Sequence, residues 1–156
     1  MPYQELPSRG RILAIDFGTV RHGLAISDPG QSFASPYENY TRRSQKLDGD
    51  FFRRVVAEED VVFLVVGLPI HLSGEESRKS LEAREFGDWL GQLTGLPVVL
   101  FDERFTTHEA EQHLLAAGLT KAKRRERLDM LAAQALLKGF LDSDRGARQD
   151  PPRSIG

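Results

Sequence analysis

Residues 61–69 read VVFLVVGLP, six apolar residues without a polar break and then Gly67, Leu68 and Pro69. A strand with one face in water alternates apolar and polar residues, so a continuous run of this length fits a strand covered on both faces. Such strands pair in parallel, and each parallel neighbour requires a crossover, usually a helix. The flanking sequence supplies both. Upstream, SQKLDGDFFRRVVAEED (residues 44–60) places Leu47, Phe51 and Val55 at helical spacing. Downstream, SRKSLEAREFGDWLGQLTG (residues 77–95) places Leu81, Phe86, Trp89, Leu90 and Leu93 on one apolar stripe, with Gly95 as a stop signal before Pro97. PVVLFDERF (residues 97–105) then reads as a second buried strand.

Working outward, RILAIDF (residues 11–17) and HGLAIS (residues 22–27) are short apolar runs separated by a turn over residues 18–21. Asp28-Pro29-Gly30 makes another turn into a weaker third strand over residues 33–37. Three strands in a meander are expected. Beyond the last strand, Thr106 with Glu109 three residues later forms a capping box for a helix ending near Gly118. A final helix is expected from about Arg125 to Leu141, with Leu128, Leu131, Ala132, Ala135, Leu136 and Leu137 on its apolar side. The fold class is α/β, a mixed five-stranded sheet flanked by helices, with no internal repeat. Residues 1–10, with Pro2, Pro7 and Gly10, read as a flexible lead-in, residues 11–141 as the folded domain, and the Pro/Gly-rich residues 142–156 as a disordered tail.

At 156 residues without a cysteine, the chain is large enough for one core and excludes disulfides and thiolate zinc sites. It shows no signal-peptide pattern and no membrane-length apolar run, so a cytoplasmic protein with no membrane partner is expected. Lys and Arg number 21 against 23 Asp and Glu, a net charge of -2 that does not announce a polyanion-binding surface. Two local concentrations stand out: KAKRRER (residues 121–127), and Arg42, Arg43, Lys46, Arg53 and Arg54. Each reads equally as a solvated face.

The acids at the strand ends are more informative. Asp16 follows ILAI, Asp102 and Glu103 follow VVLF, and Asp129 is expected to begin the last helix. Ligands of open α/β sheets bind outside the carboxyl ends of the strands, which is where Asp16 and the Asp102–Glu103 pair lie. Because side chains alternate along a strand, only one of Asp102 and Glu103 can point toward Asp16. Singly, each acid could cap a turn or a helix. Jointly, three converging carboxylates without basic partners would repel one another unless a hard cation neutralised them. Oxygen donors of this kind suit Mg²⁺ or Mn²⁺, which in such sites promote in-line phosphodiester cleavage. The four histidines, His22, His71, His108 and His113, share no metal-ligand spacing.

AIDFGTVRHGLAISD (residues 14–28), VVGLP (65–69), FDERFTTHEA (101–110) and RLDMLAAQALL (127–137), in this order, resemble the YqgF (RuvX) family of pre-16S rRNA nucleases. These have a ribonuclease H-like fold and are related to RuvC-type Holliday junction resolvases. The resemblance covers residues 10–141 and implies that Asp16, Glu103 and Asp129 take the places of the family's three acidic residues, both catalytic and metal-binding. It further implies a divalent metal cofactor, processing of the 5′ end of small-subunit precursor rRNA in the cytoplasm, ribosomal particles as partners, and a monomer or homodimer. A resolvase-like action on branched DNA and a non-catalytic nucleic-acid-binding role are the alternatives. Arg21 and Arg104 flank the acids and are expected to touch phosphates, although a salt bridge to a carboxylate is the other reading. Lys121, Lys123, Arg124 and Arg125 precede Asp129 and are expected to steer phosphates toward it. His22, where the family commonly has an aliphatic residue, and Ser73, where an aspartate is frequent, are departures. DFGT also resembles the phosphate loop of actin-like ATPases, but those enclose nucleotide between two such domains, and this chain has one.

Overall fold

A computed structural model describes residues 5–69, 77–103 and 120–143. The elements are β1 (Arg11–Asp16), β2 (Arg21–Ser27), β3 (Ala34–Thr41), α1 (Gln45–Glu58), β4 (Val61–Leu68), α2 (Arg78–Thr94), β5 (Val98–Asp102) and α3 (Lys121–Asp142). They build a five-stranded mixed sheet in the order β3-β2-β1-β4-β5. β1, β2 and β3 form the antiparallel meander, and β4 and β5 add in parallel beside β1. The apolar run of β4 is therefore central, flanked by β1 and β5 and covered on both faces.

Strand alternation divides the core in two. Leu13, Ile15, Leu24, Leu64 and Val66 face α1 and α2 with Phe51, Phe52, Phe86 and Leu90. Ile12, Ala14, Ala25, Phe63 and Val65 face α3 with Ala133, Leu136, Leu137 and Phe140. Among the described residues the first layer buries fifteen apolar side chains and the second nine, at about 1.5–3 kcal/mol apiece for the larger ones. The helices are capped as their sequences suggest: Ser44 Oγ accepts from the Leu47 amide at 3.2 Å, Ser77 and Ser80 cap each other's amides, and Gly95 ends α2 in the left-handed region at φ 73°.

Several expectations shift. β3 extends to Thr41, beyond the apolar signal of residues 33–37, because hydrogen bonding to β2 carries its polar end. Arg21, assigned to the turn, begins β2. Leu81 and Leu47 sit on their helical stripes but are exposed, and Ala83, Phe86, Gly87 and Leu90 make the buried side of α2. α3 starts at Lys121, capped by Thr120 Oγ1, which accepts from the Lys123 amide at 3.2 Å. Asp129 thus lies two turns inside the helix and cannot serve its N-terminal dipole, which fades within the first turn. The buried stripe of α3 is Ala133, Leu136, Leu137 and Phe140, with Leu128, Leu131, Ala132 and Ala135 half-buried beside it. Residues 5–10 form neither helix nor strand, as a lead-in would, yet they are tied to the body. Gln31 Nε2 donates to the Pro7 and Gly10 carbonyls at 3.1 Å each, and the Gly10 amide donates to the Pro29 carbonyl at 2.7 Å. The helix expected over residues 106–118 and residues 144–156 of the expected 142–156 tail lie outside the described residues, whereas Asp142 ends α3 and Ser143 caps it. Among the described residues no helix is long and apolar enough to cross a membrane.

Candidate active site

Side-chain parity along the strands selects the acids. On β1, Ile12 and Ala14 face α3, so Asp16, two residues on, faces the same way at the carboxyl edge. On β5, Val99 and Phe101 pack toward α3, so Glu103 follows them, while Asp102 belongs to the opposite parity with Val98 and Leu100. Between them on β4, Val65 faces α3 and Gly67 continues that row. A Cβ on Gly67 would lie 2.5 Å from Glu103 Oε2, so the absence of a side chain there is what lets the Glu103 carboxylate lie across β4 toward Asp16. The space that Gly67 leaves is filled by this chain's own carboxylate.

Asp129 arrives from above the sheet. Its position four residues before Ala133 puts it at the head of the sheet-facing stripe of α3. The helix can lie this close because β2 offers Gly23 beneath it; a Cβ there would collide with the Asp129 carbonyl. Gly23 pairs with Asp16 on one side and Asn39 on the other, so Asp16, Gly23 and Asn39 form a row across the sheet under Asp129. Asn39 Nδ2 and Arg21 Nε both donate to Asp129 Oδ2 at 3.2 Å. Asn39 Oδ1 is buried and has no protein partner among the described residues.

Asp16, Glu103 and Asp129 line one cavity of about 230 Å³, together with Phe17, Gly18, Arg21, Gly23, Pro69, Lys79 and Ala83. Burial, and next the charge of Glu103, push the Asp16 carboxyl up from 3.8 to about 7; Asp129 and a hydrogen bond with Glu103 add to this, and Lys79 opposes it. The three acids therefore share a space, but they are not poised equivalently: Asp16 and Glu103 share a hydrogen bond, whereas Asp129 is held by Arg21. Among the described residues no three acidic, histidine or cysteine groups converge closely enough to grip one ion.

Of the basic residues singled out from sequence, Arg21 lines the cavity as the ion-pair partner of Asp129. Lys121, Lys123, Arg124 and Arg125 are exposed on the first turns of α3, at its end nearest Asp129. Arg104 lies outside the described residues, as do His71, His108 and His113. His22 faces the other side of the sheet, buried among Phe17, Phe52 and Phe86 with ring centroids 4.7–6.1 Å away. Its Nδ1 accepts from the Gly18 amide at 3.2 Å, and burial followed by the charge of Arg42 holds its pKa down at about 4. His22 is thus a neutral ring that fixes the turn after Asp16.

Two cavity-side groups escaped the sequence reading. Asn39 carried no signal, because its place beside Asp129 depends on the β2–β3 register. Lys79 did carry one: a cation in the first turn of α2, without an acid beside it there, opposes the helix dipole and calls for a compensating reason.

The chain matches the RuvX family, described as "Holliday junction resolvase", over residues 10–143. It is 45% identical over 139 residues to the "Putative pre-16S rRNA nuclease" of Rhodopirellula baltica, covering 89% of this chain and 80% of that one. A protein of the same name from Koribacter versatilis is 41% identical over 145 residues, covering 93% and 94%. Among solved structures, T. thermophilus RuvC in complex with Holliday junction substrate superposes with a TM-score of 0.57 at 16% identity, covering 91% of this chain and 99% of that one. At that identity the likeness concerns the fold, which is ribonuclease H-like. The sequence match spans every described element and joins the chain to relatives more than 40% identical over most of its length: it belongs to the RuvX family.

Proposed function

We propose that this chain is a divalent-metal-dependent nuclease that matures the 5′ end of precursor 16S rRNA in the cytoplasm, with ribosomal particles carrying that RNA as its partners. One observation carries the reading: Asp16, Glu103 and Asp129, from three separate segments, line one cavity with Arg21 and Lys79 at the carboxyl edge of the sheet. Support for the RNA substrate comes from the names of the relatives.

The donor set suits Mg²⁺ or Mn²⁺, being all carboxylate oxygen. Burial first, and then the charge of Glu103, disfavour the Asp16 carboxylate, and a cation bound between the two would offset both. Asp16 and Glu103 would hold the ion, and Asp129 is the third donor, engaged in this structure by Arg21 and Asn39. A bound divalent cation supplies Lewis acidity toward the scissile phosphate and activates the attacking water. The chain's own residues do the rest. Asp16 gives up its proton, a loss that Lys79 eases through its charge. Arg21 presents a guanidinium that can exchange the Asp129 oxygen for a phosphate oxygen. The basic first turns of α3 hold the approaching backbone.

The test is cleavage of a precursor 16S rRNA fragment, with Mg²⁺ or Mn²⁺, by folded Asp16→Asn, Glu103→Gln and Asp129→Asn variants. Removing a donor lowers the rate at least about a hundredfold, since even residues behind a metal ligand cost ten- to hundredfold. Undiminished cleavage refutes the assignment. A resolvase-like action on branched DNA is the second reading, favoured by the family description and the RuvC-like fold. A four-way junction cleaved in preference to the rRNA fragment selects it.

A further inference from the structure

The second basic concentration, Arg42, Arg43, Lys46, Arg53 and Arg54, has no part in the cavity. β1 and β3 both pair antiparallel with β2, so they run the same way, and β3 ends at the carboxyl edge where Asp16 ends. Arg42 and Arg43 follow at once, and Ser44 caps α1. The Arg42 guanidinium lies over the Phe17 ring at 5.3 Å, and its Nη1 donates to the Gly18 and Thr19 carbonyls at 3.0 and 3.1 Å. The Arg43 guanidinium lies 5.7 Å over the Tyr40 ring. Both arginines are exposed, and among the described residues neither forms an ion pair. Lys46 and Arg53, by contrast, share Asp50 at 3.2 and 3.4 Å. Arg42 and Arg43 are thus two exposed guanidinium groups outside any ion pair among the described residues, each lying over an aromatic ring, beside the loop that follows Asp16.

The other basic tract lies across the sheet. α3 runs from the carboxyl edge, where Asp129 sits over Gly23, to the amino edge, where Phe140 meets Phe63 with ring centroids 5.8 Å apart. Its first two turns therefore extend about 12 Å past Asp129, at 1.5 Å per residue. α1 packs on one face of the sheet and α3 on the other. Arg42 rests on Phe17 and Gly18, which line the cavity from the β1–β2 turn, while the first turns of α3 lie on the Asp129 side of the same cavity.

We propose that Arg42 and Arg43 form a second phosphate-binding arm, so that a nucleic-acid strand runs from the basic turns of α3, over the Asp16 cavity, to the β3–α1 corner. The inference rests on the nuclease reading and adds a footprint to it. It is tested by the salt dependence of binding, measured by anisotropy in an Asp16→Asn background with a labelled single-stranded RNA of about twenty nucleotides. Adding Arg43→Ala lowers the slope of log K against log salt by about 0.7, and adding Arg42→Ala as well lowers it by roughly twice that. The affinity lost in the double variant shrinks about sevenfold between 50 and 200 mM salt. Arg11→Ala, at the amino edge in an ion pair with Glu59, removes the same charge and leaves the slope unchanged. Arg43→Ala leaves the Arg42 clamp on the Gly18 turn intact, so it reads the arm even where Arg42→Ala loosens that turn. A slope that neither arginine moves, or that Arg11→Ala moves equally, overturns the arm. If the unsubstituted protein cleaves RNA with metal while the slope stays fixed, the arm alone falls; if it shows no metal-dependent cleavage, the nuclease reading falls and takes the arm with it.

Discussion

Replacing Asp16 by Asn should stabilise the metal-free protein at alkaline pH while abolishing cleavage. The Asp16 carboxyl is pushed up from 3.8 to about 7 by burial and the neighbouring Glu103. A raised carboxyl pKa means that the folded chain binds the proton more tightly than the unfolded chain. Folding is then unpenalised below about pH 4, loses stability as pH rises from 4 to 7, and carries the full penalty above 7. A rise of about three pH units at about 1.4 kcal/mol each sets that penalty at no more than about 4 kcal/mol. Solvent in the cavity screens part of it, so about 2–4 kcal/mol is expected, or roughly 5–15 °C in melting temperature for a domain of this size. Asparagine keeps the shape and carries no charge at any pH. Thermal melts in chelator should therefore coincide for the two proteins near pH 4 and separate by pH 8, with the variant higher. Added Mg²⁺ or Mn²⁺ should raise the native protein by about 3 kcal/mol at a hundredfold excess over Kd and leave the variant in place. A variant that melts lower than the native protein at pH 8, or an identical separation at both pH values, would refute the argument from burial and the Glu103 charge.

Other perturbations separate position from charge. Gly67→Ala puts a Cβ 2.5 Å from Glu103 Oε2, the free end of a flexible side chain, so cleavage should fall at least about tenfold while the melting temperature moves little; equal losses of both would contradict this placement. Gly23→Ala instead meets the Asp129 backbone, which cannot step aside without moving α3, and should cost about 1–3 kcal/mol in denaturant titrations as well as activity. His22, held at about 4, should make folding acid-sensitive: stability is complete above pH 6.5 and falls by up to about 3 kcal/mol as pH drops to 4, a loss that His22→Leu removes. Above pH 8, where Asp16 has lost its proton with or without Lys79, Lys79→Gln should strengthen Mn²⁺ binding by removing a competing cation and weaken RNA binding; calorimetry reads the first and anisotropy the second.

The fold was legible where one physical signal dominated. The unbroken apolar run of β4 required cover on both faces, and that requirement alone called for parallel neighbours and crossover helices. Legibility failed where tertiary contact overrode a local pattern. Leu47 and Leu81 fit their helical stripes and remain exposed, because α1 and α2 turn Phe52 and Ala83 to the sheet instead. α3 begins four residues before the apolar pattern suggests because residues 121–127 carry no apolar periodicity; Thr120 caps a turn whose stability comes from the rest of the helix.

The same distinction explains the site. Alternation along β5 says that either Asp102 or Glu103 faces Asp16, and the parity of Val99 and Phe101 selects Glu103 only once the α3 face is known. Two glycines then do what no spacing argument could show: Gly67 lets Glu103 cross β4, and Gly23 lets α3 descend until Asp129 stands over the row of Asp16 and Asn39. Of the two readings of Arg21, the structure shows the salt bridge: Arg21 takes Asp129, and Lys79, which the sequence did not single out, acts by its charge on Asp16. That pairing bears on function. A cluster partly neutralised from within can fold without metal, and each internal cation is also a group that a phosphate can recruit. Burial and the neighbouring Glu103 raise the Asp16 pKa to about 7, which makes Asp16 a residue at which metal binding, proton release and stability are linked.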